Sequence, residues 1–167
     1  NLPDRMLQRG VKRWHAGSTG LLRGAKATTW EGGFRVPALV WGPSLIKGKR
    51  IIREMATTMD LFTTIATFCG ADLPQDRVID GKNLLPLLKG ASDSPTETLF
   101  YCRGDVVQAV RKGEWKYRYT QEEGKQLFHL LRDPAEMYNV AESHPDRVNE
   151  MHRKMEQFRE ETGAQME

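Results

Sequence analysis

The chain has 167 residues, with 25 Lys+Arg against 22 Asp+Glu, 39% hydrophobic and 28% charged. These values exclude a disordered chain and fit one globular domain, with at most a small appendage. A formal net charge of +3 on so mixed a background does not point to nucleic acid. No apolar run approaches the roughly 20 residues that cross a bilayer. Two cysteines, Cys69 and Cys102, exclude a disulfide-dense scaffold and a multi-cysteine zinc site, and leave open one bridge or two buried thiols.

The first stretch, Asn1 to Thr19, is polar and basic, with Arg5, Arg9, Lys12 and Arg13 and no apolar period. It has no initiating Met and no signal-peptide pattern, and reads as a surface loop entered from an upstream segment. Val36 to Trp41 is short, apolar and β-rich, stopped by Gly42-Pro43, and predicts a buried strand. Asp60 to Cys69 predicts a helix, with Asp60 as N-cap, Gly70 at C′, and Leu61, Ile65 and Phe68 on one face beside Phe62 and Ala66. Asp72 to Gly90 reads as a loop whose Leu84, Leu85, Leu87 and Leu88 plug into a neighbouring core. Thr98–Cys102, Val106–Val110, Trp115–Thr120 and Gln126–Leu131 predict four strands in an antiparallel sheet, with Arg111 to Glu114 turning between the middle two. From Pro145 to about Thr162 the spacing of Val148, Met151, Met155 and Phe158 predicts an amphipathic helix begun by Ser143 or His144.

Chemistry concentrates between Gly17 and Pro37. Gly17, Gly20, Gly24, Gly32 and Gly33 surround Lys26, Thr28, Thr29, Glu31 and Arg35, just ahead of the apolar run. Glycines let backbone turn tightly and approach a ligand, and a lysine there offers a compact cation to an oxyanion. The phosphate-loop spacing Gly-x-x-x-x-Gly-Lys-Ser/Thr is absent.

The run Leu21-Leu-Arg-Gly-Ala-Lys-Ala-Thr-Thr-Trp-Glu-Gly-Gly-Phe-Arg-Val-Pro-Ala38 resembles the sulfatase pattern Leu-Arg-Gly-Gly-Lys-Gly-Thr-x-Trp/Tyr-Glu-Gly-Gly-x-Arg-x-Pro. Further matches follow in order: Thr58-Met-Asp60-Leu61, Cys69-Gly70-Ala71, and Asp80-Gly81-x-x-Leu84-x-Pro86-Leu87-Leu88. Val110-Arg111-x-Gly113-x-Trp115-Lys116 and Leu127-Phe128-x-Leu130-x-x-Asp133-Pro134-x-Glu136-x-x-Asn139 complete the series. The resemblance is strongest to the arylsulfatase A and N-acetylgalactosamine-6-sulfatase type, in its C-terminal part. It implies an α/β, alkaline-phosphatase-like fold. Residues 1–92 would supply the last part of the large α/β sheet domain, and residues 93–167 a small α+β subdomain of four antiparallel strands with a packed helix.

The resemblance also implies hydrolysis of sulfate esters by a formylglycine nucleophile and calcium. The formylglycine arises in Cys-x-Pro-x-Arg, which neither Cys69 nor Cys102 begins, and calcium ligands come mainly from upstream. Both cofactors are therefore expected on an N-terminal part of the same sulfatase, and this chain alone is expected to be inactive. Lys26 matches the lysine that contacts the substrate sulfate and its ester oxygen, where an ammonium would offset charge on the departing oxygen. His15, beside Trp14, is a candidate substrate contact at the pocket rim. No metal ligand is assigned within the chain.

Other residues read as structural. Glu31 and Arg35 are expected to hold the loop by an internal ion pair, and Thr28 and Thr29 to satisfy turn backbone. Trp115 and Tyr117 read as sheet packing, His129, His144 and His152 as structural or solvent-facing, and Lys47 to Arg53 as a solvated loop. Related animal enzymes often bridge a cysteine just before the loop lysine; Gly24 and Ala25 stand there, so that bridge is absent. Expected partners are the N-terminal part and a sulfated small molecule or sulfated glycan, with no nucleic acid and no membrane span; a homo-oligomer is an open possibility. Family habit implies a lysosomal or secreted protein, with the bacterial periplasm as alternative. Competing functions are a phosphate or phosphonate monoester hydrolase of the same superfamily and a non-catalytic interaction domain.

Overall fold

The structure, a computed structural model, describes residues 17–46 and 48–166. It divides into two compact units, one made of residues 17–37 with residues 98–166, the other Ala38–Glu97. In the first unit, β1 (Thr98–Arg103), β2 (Val106–Lys112), β3 (Trp115–Thr120) and β4 (Gly124–His129) form an antiparallel sheet in the order β1-β2-β3-β4. The strands follow one another through tight connections, the topology expected from four adjacent β-rich runs. At the β2–β3 turn, Gly113 takes a φ of +57°, which a residue without Cβ adopts at little cost. A single one-turn helix, α1 (Glu31–Phe34), lies within the glycine-rich segment, where periodicity had shown none. The last helix, α4 (Pro145–Thr162), runs over the predicted bounds, with His144 as N-cap and Gly163 at the C-cap in left-handed conformation.

The sheet has two different faces. Val107, Val110, Tyr117 and Leu127 pack with Val148, Met151 and Met155 of α4, and Phe100 stacks on Phe158 at 4.1 Å. The other face carries Tyr101, Ala109, Arg111, Lys116, Arg118 and Phe128. The register of β1 against β2 shifts between Tyr101 and Cys102, so that Tyr101 pairs with Ala109 and Cys102 with Val107. Gln108 is the extra residue of this bulge, and joins Ala109 on the second face while Val107 and Val110 keep to the helix side. β3 pairs with β2 only from Ala109 onward. The freed edge of β2 is taken by the tail, with Val107 N–H donating to Gln165 O and Gln165 N–H to Asp105 O.

In the second unit, α2 (Asp60–Phe68) and α3 (Leu85–Lys89) are helical, the latter inside the expected loop. Asp60 is the first residue of α2 rather than its cap. Its carboxylate accepts N–H bonds from Thr57 and Lys82 and the Thr96 hydroxyl, while Thr63 donates to Gly81 O. The polar side of α2 is therefore the packed side. Leu61, Phe62, Ile65 and Phe68 are 49–59% exposed, against the expectation of a core-facing stripe. Leu84 and Leu87 are buried as foreseen, and the C-terminus of α3 is capped by the Arg50 guanidinium on Leu87 O at 3.1 Å.

Val36 to Trp41 is the clear departure from the sequence reading. It forms no strand, and Leu39 and Trp41 are 90% and 83% exposed. A strand exists only where neighbours take up its N–H and C=O groups, and among the described residues none lies alongside. Cys69 and Cys102 are both free thiols, Cys69 exposed and Cys102 half-buried, so neither the bridge nor a pair of buried thiols is present. Burial raises the Cys102 thiol pKa.

Met155, fully buried between α4 and the sheet, tests this core. Met155→Ala is expected to lower stability by about 2–5 kcal/mol in urea denaturation, with the slope unchanged.

Candidate functional site

The glycine-rich segment lies on the second face of the sheet and presents Lys26 at a turn. Thr28 N–H donates to Ala25 O at 3.1 Å, and the Thr28 hydroxyl donates to the same oxygen at 2.7 Å. Lys26 and Ala27 form the corner, with Ala27 at φ +70°. That left-handed conformation costs an alanine about 1–2 kcal/mol, and the sulfatase pattern carries glycine there. Lys26 is exposed, and among the described residues its ammonium has no hydrogen bond or ion pair. Ala25 beside it is buried, so the corner projects from a fixed base.

That base depends on close backbone approach. At Gly33 a Cβ would lie 2.1 Å from Thr28 O, and at Gly24, φ +76°, 2.5 Å from Thr28 Oγ1. Gly32 N–H donates to Arg23 O at 2.7 Å, closing the neck of the loop behind the Lys26 corner. Trp30 is buried against Phe128 at 5.8 Å, with the Arg23 and Arg118 guanidiniums 3.7 and 4.3 Å from its ring centroid. Thr29 donates to Gln108, the bulge residue, at 3.1 Å. Arg118 in turn is ion-paired with Glu123 and donates to Gln126 Oε1.

The strongest attachment is a buried charge cluster. Lys116 Nζ lies 3.1 Å from Glu31 Oε1 and 2.9 Å from Glu136 Oε1, all three side chains at most 1% exposed. Tyr101 donates its hydroxyl to Glu31 at 2.8 Å, and Arg111 reaches the other oxygen at 3.3 Å. Burial works to raise the Glu31 carboxyl, but Lys116, Tyr101 and Arg111 together hold it below its ordinary value. Glu136 is raised: burial outweighs Lys116 and the Glu31 N–H that its Oε2 accepts at 2.7 Å. Tyr101 is pushed up by burial and by the neighbouring Glu31 charge.

Sequence reading placed Glu31 correctly as structural but named the wrong partner. Arg35 is exposed and forms no ion pair among the described residues; the cations come from β2 and β3. Thr28 satisfies turn backbone as expected, whereas the Thr29 hydroxyl bonds side chains of the sheet, Gln108 and Arg118, instead of the turn. His129 packs on Trp115 with its Nε2 3.4 Å from Glu114, His144 stands at the N-cap position of α4 without a side-chain capping bond, and His152 meets the Tyr117 hydroxyl. His15, Trp14 and Asn1 lie outside the described residues. Lys116 and Glu136 were quoted in matched words without a role. The signal for Lys116 lies in the alternation of β3, which puts it on the face opposite Trp115 and Tyr117, with no apolar residue to mark that face as buried.

Among the described residues no group of three His, Cys, Asp or Glu could hold a metal ion. Glu31 and Glu136 are committed to Lys116, and Asp60 to backbone N–H groups. Cys69 is followed by Gly70-Ala71 and Cys102 by Arg103-Gly104. These residues do not fit a calcium ion or a formylglycine.

Residues 24–161 match the family described as N-sulphoglucosamine sulphohydrolase, C-terminal. Steryl-sulfatase of Rattus norvegicus is 35% identical over 85% of this chain and 30% of its own length. Arylsulfatase A of Bos taurus is 37% identical over 77% of this chain and 30% of its own length. Among solved structures, Ps i-CgsB in complex with k-i-k-neocarrahexaose superposes with a TM-score of 0.72 at 27% identity, covering 82% of this chain and 31% of that one. PsFucS1 sulfatase from Pseudoalteromonas sp. shares the fold, with a TM-score of 0.70 at 20% identity over 81% of this chain and 32% of its own. The chain thus spans less than a third of the length of these relatives.

The charge cluster carries its own prediction. Lys116→Met leaves two buried carboxylates facing each other and is expected to cost about 3–5 kcal/mol at neutral pH. Both carboxyls then titrate higher in the folded state, so the variant gains relative stability as pH falls and they take up protons. In the wild type the depressed Glu31 acts oppositely: its contribution is present above 4.5 and lost as pH falls below it. Thermal melts between pH 7 and pH 3 should therefore show the gap between the two proteins narrowing toward acid.

Proposed function

The chain belongs to the sulfatase family, aligning with its C-terminal region, and we propose that it acts as that part of an enzyme hydrolysing sulfate esters. The observation that carries this reading is the Lys26 corner, an ammonium that has no partner among the described residues, on an otherwise tightly bonded loop. A cation spent on structure would be paired, as Lys116 is. Held at a sulfate ester, Lys26 would offset the negative charge that grows on the bridging oxygen as the S–O bond breaks and the alcohol leaves. A fixed ammonium does this without reorganising at the moment of reaction.

Calcium and the formylglycine belong, on this reading, to an N-terminal part of the same protein, because the described residues supply neither. The same part would cover Val36, Leu39, Trp41 and the bare apolar stripe of α2, which supports the assignment. His15 is proposed as a rim contact. The substrate class is a sulfated small molecule or sulfated glycan, in keeping with relatives named for steryl and N-acetylgalactosamine sulfates. The proposed location is lysosomal or secreted, or periplasmic in a bacterium; among the described residues no helix is long and apolar enough to cross a membrane.

In the complete protein, Lys26→Ala is expected to lower kcat for a sulfate ester by about 100-fold or more, with an unchanged melting midpoint. Near-normal turnover by a folded variant would remove Lys26 from the reaction. Faster turnover of a phosphate monoester by the unaltered protein would favour the other branch of the superfamily.

A further inference from the structure

Glu136 grips the loop on both sides of Lys26. Its backbone carbonyl accepts from the Arg23 guanidinium at 2.8 Å, ahead of the corner. Its carboxylate accepts the Glu31 N–H at 2.7 Å, behind it. Lys116 holds that carboxylate at 2.9 Å and the Glu31 carboxylate at 3.1 Å. Glu136 is fully buried and adopts φ +52°, a conformation that side chains other than glycine reach only at a cost. The next turn keeps it there, with Asp133 accepting the N–H groups of Met137 and Tyr138. So a residue on the β4–α4 connection, more than a hundred positions from the loop, closes it like a clasp.

We infer that Glu136, fixed by Lys116, is a positioning residue for the Lys26 ammonium. Several other contacts already secure the loop to the sheet: Trp30 on Phe128, Thr29 on Gln108, and Tyr101 and Arg111 on Glu31. Glu136 adds a constraint of a different kind: beside the direct Gly32 N–H bond to Arg23 O, it ties Arg23, ahead of the corner, and Glu31, behind it, to the β4–α4 connection. With the span fixed, Ala27 remains in its left-handed conformation and Lys26 keeps one direction. Misplacement of a reacting group by about 1 Å can cost on the order of 100-fold in rate, so a fixed span has kinetic value. The inference rests on the reading of Lys26 as the group that meets the ester.

The test is a double-mutant cycle in the complete protein, with each variant assayed well below its own melting midpoint. Glu136→Gln keeps an acceptor for the Glu31 N–H but gives up the charge facing Lys116. It is expected to lower kcat for a sulfate ester by about tenfold or more while KM stays within about twofold. In a Lys26→Ala background the same substitution should leave kcat unchanged within about twofold, because the group being positioned is gone. Unaltered kcat in Glu136→Gln, or a full repeat of the loss without Lys26, overturns the inference and leaves the Lys26 reading standing. Normal turnover by Lys26→Ala alone overturns the Lys26 reading and the inference with it. Should Glu136→Gln fail to fold, Arg23→Met removes the other half of the clasp from a half-buried position. The same lack of additivity is then required, and additivity overturns the inference.

Discussion

A lysine buried in the middle of a strand is the constraint on which the first unit turns. Lys116 on β3 has no water to solvate it, so its charge must be met inside the protein, and two glutamates from distant parts of the chain meet it. Taking three charges out of water is costly, and the attraction between them repays that cost only where geometry and further hydrogen bonds are complete. Tyr101, Arg111 and the Glu31 N–H complete them. Any displacement of the glycine-rich loop would strand a charge, which makes the cluster a stricter placement device than apolar packing. An apolar contact tolerates sliding, whereas a buried carboxylate without its cation does not.

The sheet works as a partition between two kinds of cohesion. On the α4 side, methionine, valine and aromatic side chains supply burial that is large but permissive. On the loop side, ion pairs, hydrogen bonds and the stacking of Arg23 and Arg118 on Trp30 supply contacts that fix direction, each stack contributing about 0.5–2 kcal/mol. The bulge at Gln108 fits this division. Without the extra residue, strict alternation would turn either Gln108 toward α4 or Val107 and Val110 out of step with each other. One inserted residue lets β2 serve both faces.

Sequence periodicity was a good guide where a single face was buried against a single partner. The four strands and α4 were legible to within a few residues because their apolar positions recur at spacings of two and of three to four. Periodicity failed where burial was polar. Alternation along Trp115-Lys116-Tyr117-Arg118-Tyr119 sets Lys116 and Arg118 opposite the aromatics, and no apolar signal marks their face as the one buried under the loop. The one-turn α1 is held by glycine contacts and by Glu136, neither of which leaves an apolar rhythm. Glu31 was recognisable as structural, but its cations lie some eighty positions away, and nothing in local spacing points to them. The site itself was visible only as words: Lys26 among glycines, and Glu136 inside a matched run whose meaning the fold supplied.

The second unit inverts the usual logic of an amphipathic helix. α2 is anchored by Asp60, Thr63 and Thr64, whose oxygens take the orphan N–H groups of neighbouring loops or donate to their carbonyls. The helix is thereby positioned without using its apolar side. Hydrophobic matching is forgiving about register, so a helix placed by apolar contacts alone could settle in several rotations about its axis. Three polar side chains with fixed partners select one rotation first, and the direction of Leu61, Phe62, Ile65 and Phe68 follows from it. The run from Val36 to Trp41 differs: its apolar side chains are exposed, and among the described residues no strand lies alongside it. The apolar stripe of α2 is a surface whose direction is set from within the chain, as the loop presents Lys26. The same economy governs both: polar interactions decide orientation, and what they orient is left exposed.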